Sequence, residues 1–428
     1  MRVHVYAAYP MFFCAAGLAF AAGSAPAFNR DVLPILRNRC QQCHRPGQVA
    51  PMSFSTYEQA RPWAKAIREA VALKKMPPWF AEPGYGPFSN DRSLSAQEID
   101  TLVKWADSGA AEGDRPDAPP ATQPADDWNI AKPDAVVEMP RPFPIPAAGD
   151  VDYQYIVVPT GFTGDKWVGK AELRPGNRAL VHHAVVYIRE PGSSWLREAR
   201  PGIPYVPPGA TPRERLLNGA TKSDILLVYS PGSLPEEWGP AMGKLMKAGS
   251  DLVFQMHYTA NGHAASDQSR LGLVFERAAP QQRVITLQLG NDRFVIPPGH
   301  PHYRVTAWGT IPNDTELVSF FPHMHLRGAS FEYNIVEPDG KRRTLLRVSP
   351  YNFYWQLSYR LAEPLAVKGG TKLECVAYFD NSRNNPNNPD PEESVRFGPQ
   401  SWEEMMIGFF DVAVSPDMEK AEFFVRPR

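Results

Sequence analysis

Five of the ten histidines in this 428-residue chain fall in three stretches that alternate like β-strands. The densest is His323-Met324-His325, inside FFPHMHLRG (residues 320–328), where an apolar run climbs into two histidines and stops at a glycine. On a strand, a side-chain period of two puts His323 and His325 on one face. Two neutral imidazoles there are half a ligand set for copper or zinc. A second stretch, VHHAVVY, holds His182 and His183. Neighbours on a regular strand point to opposite faces, so this pair shares a metal only at a bulge or a strand end. The third is Gln255-Met256-His257-Tyr258, where His257 shares a face with Val253 and Gln255, opposite Leu252, Phe254 and Met256. Met405 or Met406, in SWEEMMIGFF, offers a soft thioether suited to Cu(I), although methionines on a strand are also ordinary core residues. His300 and His302 form another H-x-H, but in a Pro/Gly loop (PPGHPHYRV), and are assigned to the surface together with His263.

A different chemistry stands near the start. Cys40-Gln41-Gln42-Cys43-His44 is the C-x-x-C-H pattern of covalent haem attachment. Two thiols about one helical turn apart meet the two haem vinyl groups, and the adjacent histidine ligates iron. The rival is a thioredoxin-like redox pair, which calls for a βαβ context and needs no histidine. Here the motif follows a short helix-like run, residues 31–39, and opens onto the loop RPGQVAP. Met76 in KKMPPW, just after the helix-like run 57–74, is expected as the sixth iron ligand; Met52, close behind His44, is its competitor. A thioether opposite histidine raises the iron potential and suits electron transfer.

These residues need scaffolds, and the length calls for two or three of them. Lysines and arginines number 45 against 46 acids, a net charge of −1, which gives no electrostatic case for nucleic acid. Forty-five prolines and 31 glycines favour turns and strands over long helices. Residues 1–27 read as a secretory signal: Arg2, an apolar run over 10–22, then GSAPA with cleavage near 25–27. The expected location is therefore periplasmic or extracellular. Beyond the leader no apolar run approaches the ~20 residues of a membrane span, and only Cys40, Cys43 and Cys375 remain. So few cysteines do not make a disulfide scaffold.

Residues 28–113 read as a small all-α unit. Ser95 and Glu98 predict a capping box and Leu94 with Ile99 a staple; Ile99, Leu102, Val103 and Ala106 give an apolar stripe, ended by Gly109. Residues 114–149 are a Pro-rich linker, with Trp128 and residues 135–139 as first contacts of the next domain. From 150 onward strands are predicted at 153–158, 179–188, 252–259, 331–336, 344–348, 373–379 and 404–414, with Glu337-Pro338-Asp339-Gly340 as a hairpin turn. Strands of this length between Gly/Pro/Asn turns predict two β-sandwiches, 150–280 and 281–428, with a Pro/Gly-rich stretch (191–251) covering the first.

The helix order, CQQCH and MPPW of residues 28–113 resemble a class I cytochrome c. HHAVVY, QMHYTANG, PHMHLRG and GPQSWEEMM, in that order over about 150–428, resemble the copper type II, ascorbate-dependent monooxygenases, the family of peptidylglycine alpha-hydroxylating monooxygenase and dopamine beta-hydroxylase. That resemblance implies two jelly-roll-like domains holding one copper each. By carry-over, His182, His183 and His257 match a three-histidine copper that stores and passes an electron. His323, His325 and Met405 match the copper where dioxygen meets the substrate C–H bond; Glu404-Met405 matches the family's Glu-Met. The implied cofactors are two copper ions and one covalently bound haem c, and the implied partners are a small-molecule substrate, dioxygen and an external electron donor.

Two departures stand out. The family members are rich in disulfides, whereas Cys375 stands alone here and is expected to be free and buried. In peptidylglycine monooxygenase an arginine, an asparagine and a tyrosine grip a peptide carboxylate; Phe321, Ile407 and Phe409 occupy those positions here. An apolar or aromatic substrate is expected instead. The Asn-rich loop 380–391 reads either as a source of polar contacts or as plain surface. The fused haem adds an expected electron route from haem to the His182/His183/His257 copper and on to the second. The reading from a different class is a non-catalytic electron-transfer or copper-binding protein.

Overall fold

The computed structural model describes residues 25–119, 128–130, 132–208, 214, 223–337, 339–420 and 423. The expected leader lies outside these residues apart from 25–27. Among the described residues no helix is long and apolar enough to cross a membrane.

Residues 28–110 build a small helical core. Phe28–Val32 leads as a π-turn into Leu33–Arg39, and Ala64–Ala72 packs on Ala96–Asp107. The expected helix 57–74 is three pieces, because Pro62 breaks it into a four-residue helix, a 3₁₀ turn and Ala64–Ala72. The capping box forms in full: Ser95 Oγ accepts from Glu98 N–H at 3.2 Å, and Glu98 Oε2 accepts from Ser95 N–H at 2.7 Å. Phe28, Leu36, Leu102 and Trp105 are buried at its centre.

The remainder is β-rich and sandwich-like. In the first half, Gln154–Pro159, Asp251–Tyr258, Val181–Arg189 and Asp224–Tyr229 form one antiparallel sheet in that spatial order. In the second half, Tyr303–Thr310, Lys372–Phe379, Gly328–Val336 and Arg342–Val348 form another. The facing layers of both halves belong to one nine-stranded sheet. Ala135–Glu138, Arg270–Phe275, Lys166–Arg174 and Met242–Met246 back the first half; Gln282–Gly290, Ile407–Val414, Thr315–His323 and Tyr359–Val367 back the second. The two sets join where Gln282 and Arg283 pair in parallel with Met242 and Gly243. Each half has its own core, one around Phe254 and Leu271, the other around Phe320, Tyr333 and Cys375. Cys375 is a free, fully buried thiol.

Two placements go beyond the sequence reading. The stretch 191–251 is not merely a cover, since it contributes Asp224–Tyr229 and Met242–Met246 to both layers of the first half. Trp128 lies buried between Arg174 and Arg270, and Ala135–Glu138 forms the edge of the large sheet. The helical unit is also held by more than a tether. Between its last two helices the chain leaves to dock on the second sandwich, where Trp79 and Phe88 pack around Tyr359, and Arg92 donates to the Gly232 carbonyl of the first half. Burying those aromatics against an existing core outweighs keeping them on a helical core of about a dozen side chains.

Candidate metal centre

His182, His183 and His257 converge. His183 and His257 sit directly opposite on paired strands, and the register slips between Val181 and His183. That irregularity turns His182 to its neighbour's side, the arrangement adjacent histidines require. The Nδ1 atoms of His182 and His183 are 3.0 Å apart and those of His257 and His183 3.3 Å, with a ligand atom of each of the three within 4.8 Å of the others. Metal–nitrogen bonds of about 2.0–2.1 Å place tetrahedral neighbours about 3.3 Å apart. The set therefore has the spacing of ligands around one small ion.

The tautomer follows from the hydrogen bonds. Tyr153 O–H donates to the Pro399 carbonyl at 3.3 Å, so its oxygen accepts from His183 Nε2–H at 3.1 Å. This leaves the His183 Nδ1 lone pair facing His182 and His257. Tyr153 also stacks on His257 with centroids 4.6 Å apart, and Phe353 stacks on His182 at 4.7 Å.

His323 ends the strand Thr315–His323 and His325 lies in the turn beyond, so the expected shared strand face is replaced by a held turn. Their rings remain neighbours, with centroids 5.2 Å apart. His323 Nδ1–H donates to Gln356 Oε1 at 2.6 Å, and Gln356 Nε2 donates to the Phe353 carbonyl, which fixes the amide's orientation. His325 Nδ1–H donates to the Glu403 carbonyl at 3.2 Å. Both histidines thus keep an Nε2 lone pair for a metal. Tyr351 O–H bridges the Met324 amide and carbonyl, each at 2.9 Å. The fully buried Glu404 carboxylate accepts from the N–H groups of His325, Arg327 and Met405 at 2.9, 2.6 and 3.3 Å. Burial pushes this carboxyl up to about 8, while the amides pull the other way. Gly328 closes the turn because a Cβ there would stand 2.8 Å from Tyr351 and 2.9 Å from Met324.

Met405 and Met406 part company. Met406 packs into the core of the second sandwich, whereas Met405 lines a cleft together with His183 and His323. Phe321, Ile407 and Phe409 line the same cleft. The sequence reading expected two separate metal pockets. The continuous large sheet instead brings the strand ends together, and His183 and His323 have ring centroids only 5.7 Å apart. Burial, with neighbouring imidazoles adding to it for the first-sandwich pair, pushes His182 and His323 down to about 4 and His257 to about 3; His183 and His325 are also well below the usual range. All five are neutral near pH 7, the form that ligates metal. His263, His300 and His302 lie in loops, with His302 stacked on Tyr378.

At the haem motif Cys40 and Cys43 are free thiols, and His44 N–H donates to the Cys40 carbonyl at 2.8 Å. Burial pushes the Cys40 thiol up to about 12, the opposite of what an activated redox thiol needs. His44 stacks on Phe54, and its Nδ1–H donates to the Met52 carbonyl at 3.3 Å, leaving Nε2 free for iron. Two free thiols and a histidine with that tautomer fit a covalently attached haem. Met52 packs against the helical core, while Met76 stands where the chain leaves for the second sandwich.

Several supporting residues carry no pattern in sequence: Tyr153, Phe353, Gln356 and Arg327. The Asn-rich loop is one of these supports. Asn381, fully buried, accepts from Arg327 Nε at 2.7 Å and donates to the Pro297 and Glu393 carbonyls. Arg327 reaches on to the Trp402 carbonyl, beside Glu404. Only the density of asparagine hinted at such a role.

No family model matches the chain, and no curated protein matches it. Among solved structures it is similar to the infectious bursal disease virus VP2 subviral particle, at 12% identity over 72% of this chain and 77% of that one, with a TM-score of 0.20. It is likewise similar to PNGF-II (9% identity, 66% and 65% covered, TM-score 0.27) and to allantoicase (7%, 56% and 81%, 0.15). At these scores none bears on the function.

Proposed function

We propose that this chain is an exported haem- and copper-dependent monooxygenase that hydroxylates a C–H bond of an apolar organic substrate. The observation that carries the reading is one cleft lined by His183 from the first sandwich and His323 and Met405 from the second, with Phe321, Ile407 and Phe409 as walls. His182, His183 and His257 would hold one copper, and His323, His325 and Met405 the other. Copper there would supply one-electron chemistry and dioxygen activation. The net reaction is R–H + O2 + 2 e⁻ + 2 H⁺ → R–OH + H2O. The residues' own work is positional: Tyr153, Gln356 and Glu403 fix the imidazole tautomers, Glu404 holds the turn, and the apolar walls exclude water from the reacting bond.

The helical unit would be a cytochrome c-like domain, with Cys40 and Cys43 as thioether links, His44 and Met76 as iron ligands, and an external donor feeding the haem. In favour of an internal electron route, Cys43 lines a cleft with Val228 and Tyr229, and Val228 also lines the histidine cleft. Among the described residues, Asp224–Tyr229 is the one strand that lines both clefts.

Metal counting and oxygen uptake test the proposal. The expected result is about two coppers and one haem per chain with copper-dependent oxygen consumption. Stopped-flow reoxidation of reduced haem tests the relay: replacing His182 by Ala slows it if copper lies on the route and leaves it unchanged if not. A second reading, a non-catalytic electron-transfer or copper-binding protein, is favoured by the contact of all five imidazoles in one cluster. That reading predicts bound copper without oxygen uptake.

A further inference from the structure

Three glutamines line the histidine cleft, and their amides are used differently. Gln356 is committed to His323 and the Phe353 carbonyl. Gln255 is committed to two tyrosines, donating to Tyr155 Oη at 2.7 Å and accepting from Tyr187 O–H at 3.3 Å. Gln288 is different. It lies on Gln282–Gly290, paired with Phe409 in the cleft wall, and is half-buried. Among the described residues no group hydrogen-bonds its amide. No lysine, arginine, aspartate or glutamate lines this cleft. Half-buried in a cleft whose other amides are committed, Gln288 has donor and acceptor capacity that only water or a ligand can use there.

From this we infer that Gln288 is the substrate-orienting group of the cleft, and that its ligand is a neutral molecule with an apolar body and one hydrogen-bonding group such as an amide, ketone or hydroxyl. A cationic ligand finds no counter-ion among the lining side chains, meets bound copper of its own sign, and loses its hydration on entry. A fully apolar one leaves the Gln288 amide desolvated and unpaired. This inference rests on the proposed function for the meaning of the cleft, but binding can be measured without turnover.

Isothermal titration calorimetry on the full chain, carrying its haem and copper, compares three probes: benzamide, ethylbenzene and benzylammonium. Benzamide is expected to bind about tenfold more tightly than ethylbenzene, as one neutral hydrogen bond allows, and benzylammonium far more weakly than either. Gln288→Leu should bring benzamide down to the affinity of ethylbenzene while ethylbenzene binding is kept, which also shows that the variant is folded. Gln288→Glu should raise benzylammonium binding. Equal affinities for benzamide and ethylbenzene, a preference that survives Gln288→Leu, strong benzylammonium binding, or no binding of any probe would each overturn the inference. Oxygen uptake is scored separately: probe selectivity without it removes the monooxygenase and leaves the Gln288 site standing, and uptake without selectivity does the reverse.

Discussion

The two ligand sets reach the same cleft by different means. His182, His183 and His257 stand on two hydrogen-bonded strands, and one register slip plus one tyrosine suffices to aim them. His323 and His325 stand at a strand end and in a turn, so their places depend on Gln356, Tyr351, Glu404, Arg327 and Asn381. Sheet-borne ligands inherit the order of the ladder. Turn-borne ligands need a dedicated polar scaffold, with each buried member satisfied.

His183 touches both sets, so its loss has the largest effect. His183→Ala should remove the first-set copper altogether and, through lost contact with His323, weaken the second; copper counting by mass spectrometry would read a fall from about two to one or fewer. Next come the supports. Glu404→Ala strands three backbone N–H groups, at about 1–3 kcal/mol each, and should lower second-set copper affinity about 10–100-fold. Tyr153→Phe should cost the first set less than about tenfold, since the strands still aim the ring. Competition titrations with a chelator and denaturant melts measure both, and equal sensitivity of the two sets would defeat the distinction.

A pH series on metal-free protein probes both sets together. The unfolded histidines titrate near 6.5, whereas His182 and His323 stay neutral down to about 4 and His257 to about 3. Between those values the unfolded chain binds protons that the folded cluster refuses. The stability is therefore present above about pH 6.5 and is lost as pH falls through about 4 and 3. Thermal melts should show the melting temperature dropping over that window, with copper resisting the fall. The smallest effect separates the two methionines. Met406→Leu, in the packed core, should cost less than about 1.5 kcal/mol and leave copper unchanged; Met405→Leu should be equally stable but bind Cu(I) more weakly, read by Cu(I) competition.

Legibility in sequence followed the same division. The capped helix 96–107 and the strands carrying His183 and His257 were readable because local chemistry dictates them: a Ser-x-x-Glu box and runs rich in β-branched and aromatic residues. The strands Asp224–Tyr229 and Met242–Met246 were not, because they are short runs inside a Pro/Gly-rich stretch that reads as loop. The docking of Trp79 and Phe88 on the second sandwich was equally invisible, since an aromatic residue does not announce which core it enters.

By itself the sequence determined the candidate ligand types, the C-x-x-C-H spacing, the β-rich character and the absence of charge at Phe321, Ile407 and Phe409, for these are properties of residues and their nearest neighbours. The tertiary structure alone decided that His183 and His323 stand side by side and that Gln288 is left with an unused amide. Those facts depend on how two sandwiches share one sheet, and such sharing is settled by contacts between residues distant in the chain, Met242 with Gln282 at the join and His183 with His323 at the cleft.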